Sequence, residues 1–183
     1  GGAQEYLGIT PDLCVLGKAF GAGTPISAMT GKREVMSHMR PLGTSEYSGT
    51  YLAHLTTVLP ALAALEVYSQ PGFYGDLNAR ANRFYEGFQS LIDEIGLPVR
   101  LQYCGPRFGM HFGIDHELND YRDTISRNVE LENIFIGACL EQGVYFHTQL
   151  HHGMSAAHTD DDLGRVLDAI KHGLKAVKQV TTA

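Results

Sequence analysis

The stretch that most constrains the fold spans residues 11–28, where a short strand, a lysine, a glycine-rich turn and a second strand follow one another. Leu13–Leu16 is an apolar run of strand length, bounded in front by proline and aspartate. Gly21 and Gly23 permit the tight turn and the close backbone approach that side chains oppose. The pattern therefore predicts that Lys18 stands at the end of a strand, beside a turn that leaves space.

Lys18 has two interpretations from the residues alone. Burial disfavours the charged form of an amine, so a buried lysine at this point would offer the neutral amine that imine formation requires. An ordinary surface lysine, with its stem packed and its ammonium in water, fits the same local pattern. The residues around Lys18 leave both interpretations open.

Four motifs, taken in chain order, resemble the class III, pyridoxal-phosphate-dependent aminotransferases. The last of them is similar to the glutamate-1-semialdehyde aminomutase branch of that family. The motifs are Pro11–Lys18 with the glycine-rich turn behind it, Gly31–Met36, Tyr47–Thr50 and Ser155–Leu163. The resemblance implies an α/β fold of fold type I and pyridoxal 5′-phosphate as cofactor.

The resemblance also implies the site residues and the reaction. It makes Lys18 the catalytic residue, which forms a Schiff base with the cofactor and moves a proton between substrate and cofactor. Gly49 and Thr50 would bind the cofactor phosphate of a neighbouring subunit, so a homodimer is expected. The implied function is transfer of an amino group on a small amino acid or amine, with small-molecule amino donors and acceptors as partners.

Gly49 and Thr50 also have an explanation from the residues themselves. They precede a helix that the sequence predicts over Tyr51–Tyr68, and helix N-termini bind anions. An ordinary N-cap explains the same residues. The chain then departs from the small residues that the aminomutase branch has after Thr50, because it reads Tyr51-Leu52-Ala53-His54. Aminotransferase and aminomutase therefore both stay open.

The pattern predicts two domains, residues 1–96 and residues 97–183, which the resemblance equates with part of the large cofactor-binding domain and the small α+β C-terminal domain. A break at Gly96-Leu97-Pro98 separates them. The predicted helix Tyr51–Tyr68 contains Pro60, which predicts a kink or break. The elements predicted after it are helix 75–95, an antiparallel pair Val99–Cys104 and Phe108–Phe112, helix Glu130–Gln142, strand Val144–Phe146, and a last helix capped by Thr159.

Composition narrows the classes of protein. The net charge of -6 comes without a basic run, which disfavours a nucleic-acid partner. No apolar run approaches membrane-spanning length. Three scattered cysteines, Cys14, Cys104 and Cys139, indicate free thiols in a reducing compartment, so we expect a cytoplasmic protein.

The remaining candidate residues give weaker signals. His147, His151 and His152 invite a metal-binding hypothesis, but they fall in a predicted loop without a nearby cysteine or carboxylate pair. The sequence therefore predicts no metal site. Arg33 and Arg107 could each bind a carboxylate with two hydrogen bonds. The charged neighbours of Arg33 favour a solvent-exposed face instead.

The resemblance implies that this chain corresponds to the C-terminal portion of a longer enzyme. The aspartate that holds the cofactor's ring nitrogen in such enzymes would lie upstream of Gly1. We therefore expect the two predicted strands around Lys18 to have an uncovered apolar face, and the chain to be stable only beside its missing N-terminal portion or a partner chain. The alternative function is a non-catalytic relative that folds and associates without doing chemistry.

Overall fold

The computed structural model describes residues 2–148 and 151–182. The chain divides into two compact units, Gly1–Phe73 and Tyr74–Ala183. The helix that joins the predicted domains contributes its buried side chains, such as Phe84 and Phe88, to the core of the second unit. The division by packing thus falls ahead of this helix, while the domain assignment 1–96 and 97–183 stays a prediction.

The first unit is built around an antiparallel strand pair. Its elements are α1 (Ala3–Leu7), β1 (Leu13–Leu16), a 3₁₀ turn (Lys18–Gly21), β2 (Ala28–Gly31), α2 (Arg33–Met36) and α3 (Leu55–Tyr68). β1 and β2 form a two-stranded sheet in which Leu13 pairs with Gly31 and Leu16 with Ala28. The predicted strand, turn and strand are confirmed.

The β1–β2 sheet exposes apolar side chains, as the sequence predicts. Val15 is 75% exposed and Leu13 is 47% exposed. α3 likewise exposes a row of leucines, Leu55, Leu59 and Leu62, on one side. Exposed apolar side chains grouped on one side of an element are typical of surfaces that contact further polypeptide.

α3 begins later than the sequence predicts. Its first residue is Leu55, and the His54 side chain accepts a hydrogen bond from the Thr56 backbone N–H as the N-cap. Tyr51 lies in a turn before the helix, so the prediction of a helix from Tyr51 is wrong at its start. The helix runs through Pro60 without a break, although proline lacks the backbone donor for the carbonyl one turn earlier.

The second unit packs three helices against a three-stranded antiparallel sheet. Its elements are α4 (Phe73–Ile95), β3 (Val99–Cys104), β4 (Arg107–Phe112), a 3₁₀ turn (Tyr121–Thr124), α5 (Val129–Glu141), β5 (His152–Gly153) and α6 (Asp160–Thr181). The strand order is β3-β4-β5. The core combines aromatic side chains from α4, β4 and α5, with Phe88 and Phe135 stacked at a centroid distance of 6.4 Å.

The predicted strand Val144–Phe146 is wrong. This segment forms no strand, although Phe146 is buried in the core beside Phe135. The position beside β4 belongs instead to β5, where His152 pairs with Phe108. The predicted loop from His147 to Gly153 therefore ends in a short strand, and its residues 149–150 lie outside the described residues.

The N-terminus of α6 confirms the prediction made from its sequence. The Asp162 backbone N–H donates to the Thr159 hydroxyl at 3.1 Å, and the Thr159 N–H donates to the Asp162 carboxylate at 2.9 Å. This reciprocal capping box satisfies donors that the first helical turn would otherwise leave unpaired.

Of the helices in the described part of the chain, none combines the length and apolarity that a bilayer span requires.

Candidate functional site

Lys18 occupies a strained backbone position directly after β1. Gly17 is fully extended, with φ -161° and ψ -164°, and Lys18 then turns to a φ of 54°. A positive φ is unfavourable for any residue that carries a Cβ, and such strain concentrates at functional sites. Lys18 therefore begins the turn between β1 and β2 in a conformation that residues with a side chain disfavour.

The turn after Lys18 is held by side chains and by close packing. The Tyr68 hydroxyl on α3 donates to the Ala19 carbonyl at 2.8 Å, and the Thr24 hydroxyl donates to the Gly21 carbonyl at 2.7 Å. A Cβ at Gly21 would stand 2.8 Å from Ile26 Cγ2, so only glycine fits there without displacement. These contacts fix the backbone that carries the lysine.

The amine of Lys18 has no hydrogen bond or ion pair with any described residue, and the side chain is exposed in this chain. The other lysine of the first unit behaves differently, because Lys32 pairs with Asp12 at 2.6 Å. The interpretation of Lys18 as a desolvated lysine is wrong for this chain by itself. The neighbouring side chains Val15 and Leu16 of β1 are exposed as well, so nothing in the described part of the first unit covers the amine.

Gly49 and Thr50 line a cavity of about 350 Å³ in the first unit. Ser27 at the end of the glycine-rich turn and Ser48 line the same cavity. The Thr50 hydroxyl makes no hydrogen bond to a described residue, and a Cβ at Gly49 would meet nothing within 4 Å. The cavity therefore offers a hydroxyl and an unobstructed backbone segment to a polar guest.

The structure does not bring Lys18 into this cavity, because Lys18 is absent from its lining residues. Thr50 also lies ahead of α3 rather than at its N-terminus, where His54 takes the N-cap position. The explanation of Gly49 and Thr50 as a helix N-terminus is therefore wrong. The sequence could not show that a turn, Tyr51–Ala53, separates Gly49 and Thr50 from the helix. Within this turn Ala53 has a φ of 54°.

The histidine segment shows no arrangement that favours a metal. Among the described residues, no group of three or more histidine, cysteine or carboxylate side chains is placed to hold a metal ion. His152 is buried, and burial is the first cause that lowers its pKa, to about 4, with the neighbouring His151 and His147 adding to the effect. Arg33 and Arg107 are exposed, and neither contacts a described carboxylate.

Comparison with known proteins relates this chain to one family. The family model of the class-III aminotransferases matches residues 2–173. The chain is 36% identical over 179 residues to the glutamate-1-semialdehyde 2,1-aminomutase of Laribacter hongkongensis (strain HLHK9), covering 97% of this chain and 42% of that protein.

Two solved structures show the same fold. An omega-transaminase from Sphaerobacter thermophilus superposes with a TM-score of 0.89 at 26% identity, covering 97% of this chain and 41% of that one. The FumI protein of Sphingopyxis sp. MTA144, solved in its PLP internal aldimine form, has a TM-score of 0.81 at 24% identity, covering 100% of this chain and 41% of that one. The chain thus spans less than half the length of these relatives.

Proposed function

The chain belongs to the class-III aminotransferase family, and we propose that it carries the cofactor-binding lysine of an enzyme that transfers an amino group on a small amino acid or amine. The fold is that of the pyridoxal-phosphate-dependent transaminases, and the family's cofactor is pyridoxal 5′-phosphate. The observation that carries the proposal is the strained Lys18, an amine without a partner at the end of β1.

The residues of this chain fit the cofactor in two places. Lys18 would bind its aldehyde carbon through the neutral form of its amine, which no ion pair with a described residue holds in the charged form. Gly49 and Thr50 would hold a phosphate, with the Thr50 hydroxyl and backbone N–H groups as donors. Since Lys18 does not line the Thr50 cavity, we propose that Gly49 and Thr50 serve the cofactor of a second copy in a homodimer.

The cofactor supplies the electron sink that stabilises negative charge at the substrate Cα. The Lys18 amine takes up the proton from that carbon and returns it, as a general base and acid. The positive φ of Lys18 and the Tyr68 contact to Ala19 position the backbone from which the amine extends.

Water must be excluded from Lys18 before it can do this efficiently, and the chain alone leaves the side chain exposed. We propose that the cover comes from a partner subunit, from the remaining length of an enzyme of the relatives' size, or from both. The exposed Val15 on β1 and the leucine row on α3 are the surfaces for such contacts. The same exposure favours the alternative, a non-catalytic relative that associates through these surfaces.

Titration with pyridoxal phosphate tests the proposal and its alternative. The chain should gain a visible absorption band that borohydride bleaches. Lys18→Ala should abolish the band, and the matched control Lys32→Ala, which removes a lysine that is paired with Asp12 in the same unit, should keep it. A Lys18→Ala variant that retains the band would contradict the role of Lys18. A wild-type chain that gains no band even beside the remaining length of the enzyme would support the non-catalytic relative.

Two finer proposals concern the location of the protein in the cell and the type of amino-group transfer. The protein acts in the cytoplasm, in keeping with its three unpaired cysteines Cys14, Cys104 and Cys139. Whether it is an aminotransferase or an aminomutase is decided by the need for a separate amino acceptor. Turnover of a single substrate without an added acceptor would identify the aminomutase.

A further inference from the structure

The β3–β4 pair has a second face, away from the aromatic core, and a segment of chain covers it. Residues 114–128, which we name the strap, run across this face. The Gln102 side-chain amide donates to the Leu118 carbonyl at 2.9 Å, and the Asn128 N–H donates to the Phe112 carbonyl at 2.7 Å. The strap is therefore attached at its middle and at its end.

A cavity of about 270 Å³ lies between the strap and the sheet. Gln102, Gly109 and His111 form its floor, and strap residues between Leu118 and Thr124 form the rest of its lining. His111 is only 6% exposed, yet its Nδ1 is buried without a partner among the described residues. A buried ring nitrogen without a hydrogen bond is costly, so His111 is a point of low stability under the strap.

Charged side chains from β3, the strap and α5 lie around His111. Arg100 lies directly opposite on β3, where cross-strand neighbours share one face. Arg127, at the end of the strap, acts on the ring electrostatically and bonds to Glu132 of α5 at 3.2 Å. On the cavity side, the carboxylate of Asp120 is already bonded to Arg122.

This arrangement favours the uncharged imidazole over the imidazolium. Burial, and then the positive charge of Arg127, hold the pKa of His111 below its ordinary value of 6.5. A proton on His111 would add a positive charge beside Arg127 and across the strand pair from Arg100. The nearby carboxylates of Glu132 and Asp120 are already bonded to Arg127 and Arg122. His152 on β5 interacts electrostatically with His111, and its pKa is lowered as well, so it supplies no compensating negative charge.

We propose that protonation of His111 opens the strap, which stays closed while the His111 ring is neutral. In the open strap His111 is solvated and binds its proton with ordinary affinity, so acid favours opening. The closed state keeps its full stability above pH 6.5 and loses it progressively as the pH falls below that value. Glu132 works in the opposite direction, because burial raises its pKa and the closed state favours its protonation.

Hydrogen exchange of the full 183-residue chain between pH 7.5 and 5 tests whether acid opens the strap. These pH limits lie about one unit or more on each side of the ordinary pKa of histidine. Rates are normalised to those of unstructured peptides at each pH, and α6 serves as the internal reference. Below pH 6.5 the opening equilibrium of the strap should rise by up to about tenfold per pH unit, while α6 is unchanged. In His111→Gln and His111→Asn the rise should vanish or reverse slightly, because Glu132 remains.

The matched control is His116→Gln, which removes an exposed histidine from the strap itself. This variant should keep the wild-type pH dependence. Unchanged α6 protection in each variant verifies that the second unit is folded. The proposal is overturned if the rise persists in both His111 variants, if the wild-type strap shows no rise, or if α6 opens together with the strap.

Discussion

Replacement of Gly173 by alanine tests the tightest helix contact of the second unit. An ideal Cβ at Gly173 on α6 would lie 2.8 Å from Cys139 Sγ and 2.8 Å from Phe135 Cδ2, both on α5. Phe135 and Cys139 are completely buried, so neither can move into solvent to relieve the clash. The helices must separate or the side chains must leave their preferred rotamers.

The magnitude follows from two opposing effects. Alanine in a helix interior is favoured over glycine by about 1 kcal/mol, and overpacking of a well-packed core costs about 1–3 kcal/mol. Gly173→Ala should therefore lower the free energy of unfolding by up to about 2 kcal/mol. Gly164→Ala is the matched control on the same helix, because a Cβ there meets nothing within 4 Å. It should raise the free energy of unfolding by up to about 1 kcal/mol.

Urea unfolding followed by far-ultraviolet circular dichroism measures both variants. The difference between them isolates the clash, since the helix propensity of alanine is common to both. We expect a difference of about 1–3 kcal/mol in favour of Gly164→Ala. Equal stabilisation by the two substitutions would refute the close approach of α5 and α6 at Gly173.

Substitutions at four residues test the N-terminal cap of α6 and the buried ion pair. Thr159→Ala should lower the free energy of unfolding by about 1 kcal/mol, and Thr159→Ser should retain it, as urea unfolding would show. The pKa of Asp162 is lowered to about 2 by hydrogen bonds from the backbone and the hydroxyl of Thr159, so its contribution is full above pH 3.8 and is lost as the pH falls toward 2. Asp162→Asn should therefore melt with less acid dependence than the wild type across this range. Arg127→Ala should cost about 3 kcal/mol because Glu132 stays buried without its partner, and adding Glu132→Gln should recover part of that loss in the same unfolding assay.

Local sequence signals predicted the elements whose stability is local. Thr159 and Asp162 form the capping box that their spacing indicates, because both partners lie within one helical turn. The antiparallel β3–β4 pair was also predictable, since Gly105 adopts a φ of 55° in the tight connection between the strands. These elements depend on residues close together in the chain.

The errors arise where distant residues decide the structure. Val144–Phe146 is β-branched and aromatic and therefore has strand propensity, but Phe146 contributes to the core from an irregular segment while His152 pairs with β4. Propensity alone cannot tell which of two nearby segments will reach the free position beside β4. The cluster around His111 was missed for the same reason, because its charges come from three separate elements.

The site at Lys18 was predictable in position but not in environment. The sequence indicates the strand, the lysine and the turn, and all three are present. It could not reveal that Lys18 itself takes the positive φ while an exposed sheet leaves its amine in solvent. Burial depends on which surfaces cover the sheet, and the residues next to Lys18 do not encode them.

The attachment point of the cofactor tests the central claim most directly. The chain is mixed with pyridoxal phosphate, reduced with borohydride, digested, and mapped by mass spectrometry. We predict that the phosphopyridoxyl group is found on Lys18, with Lys32 and the lysines of α6 unlabelled. Labelling that is spread over these other lysines, or that avoids Lys18, would contradict the proposed role of Lys18.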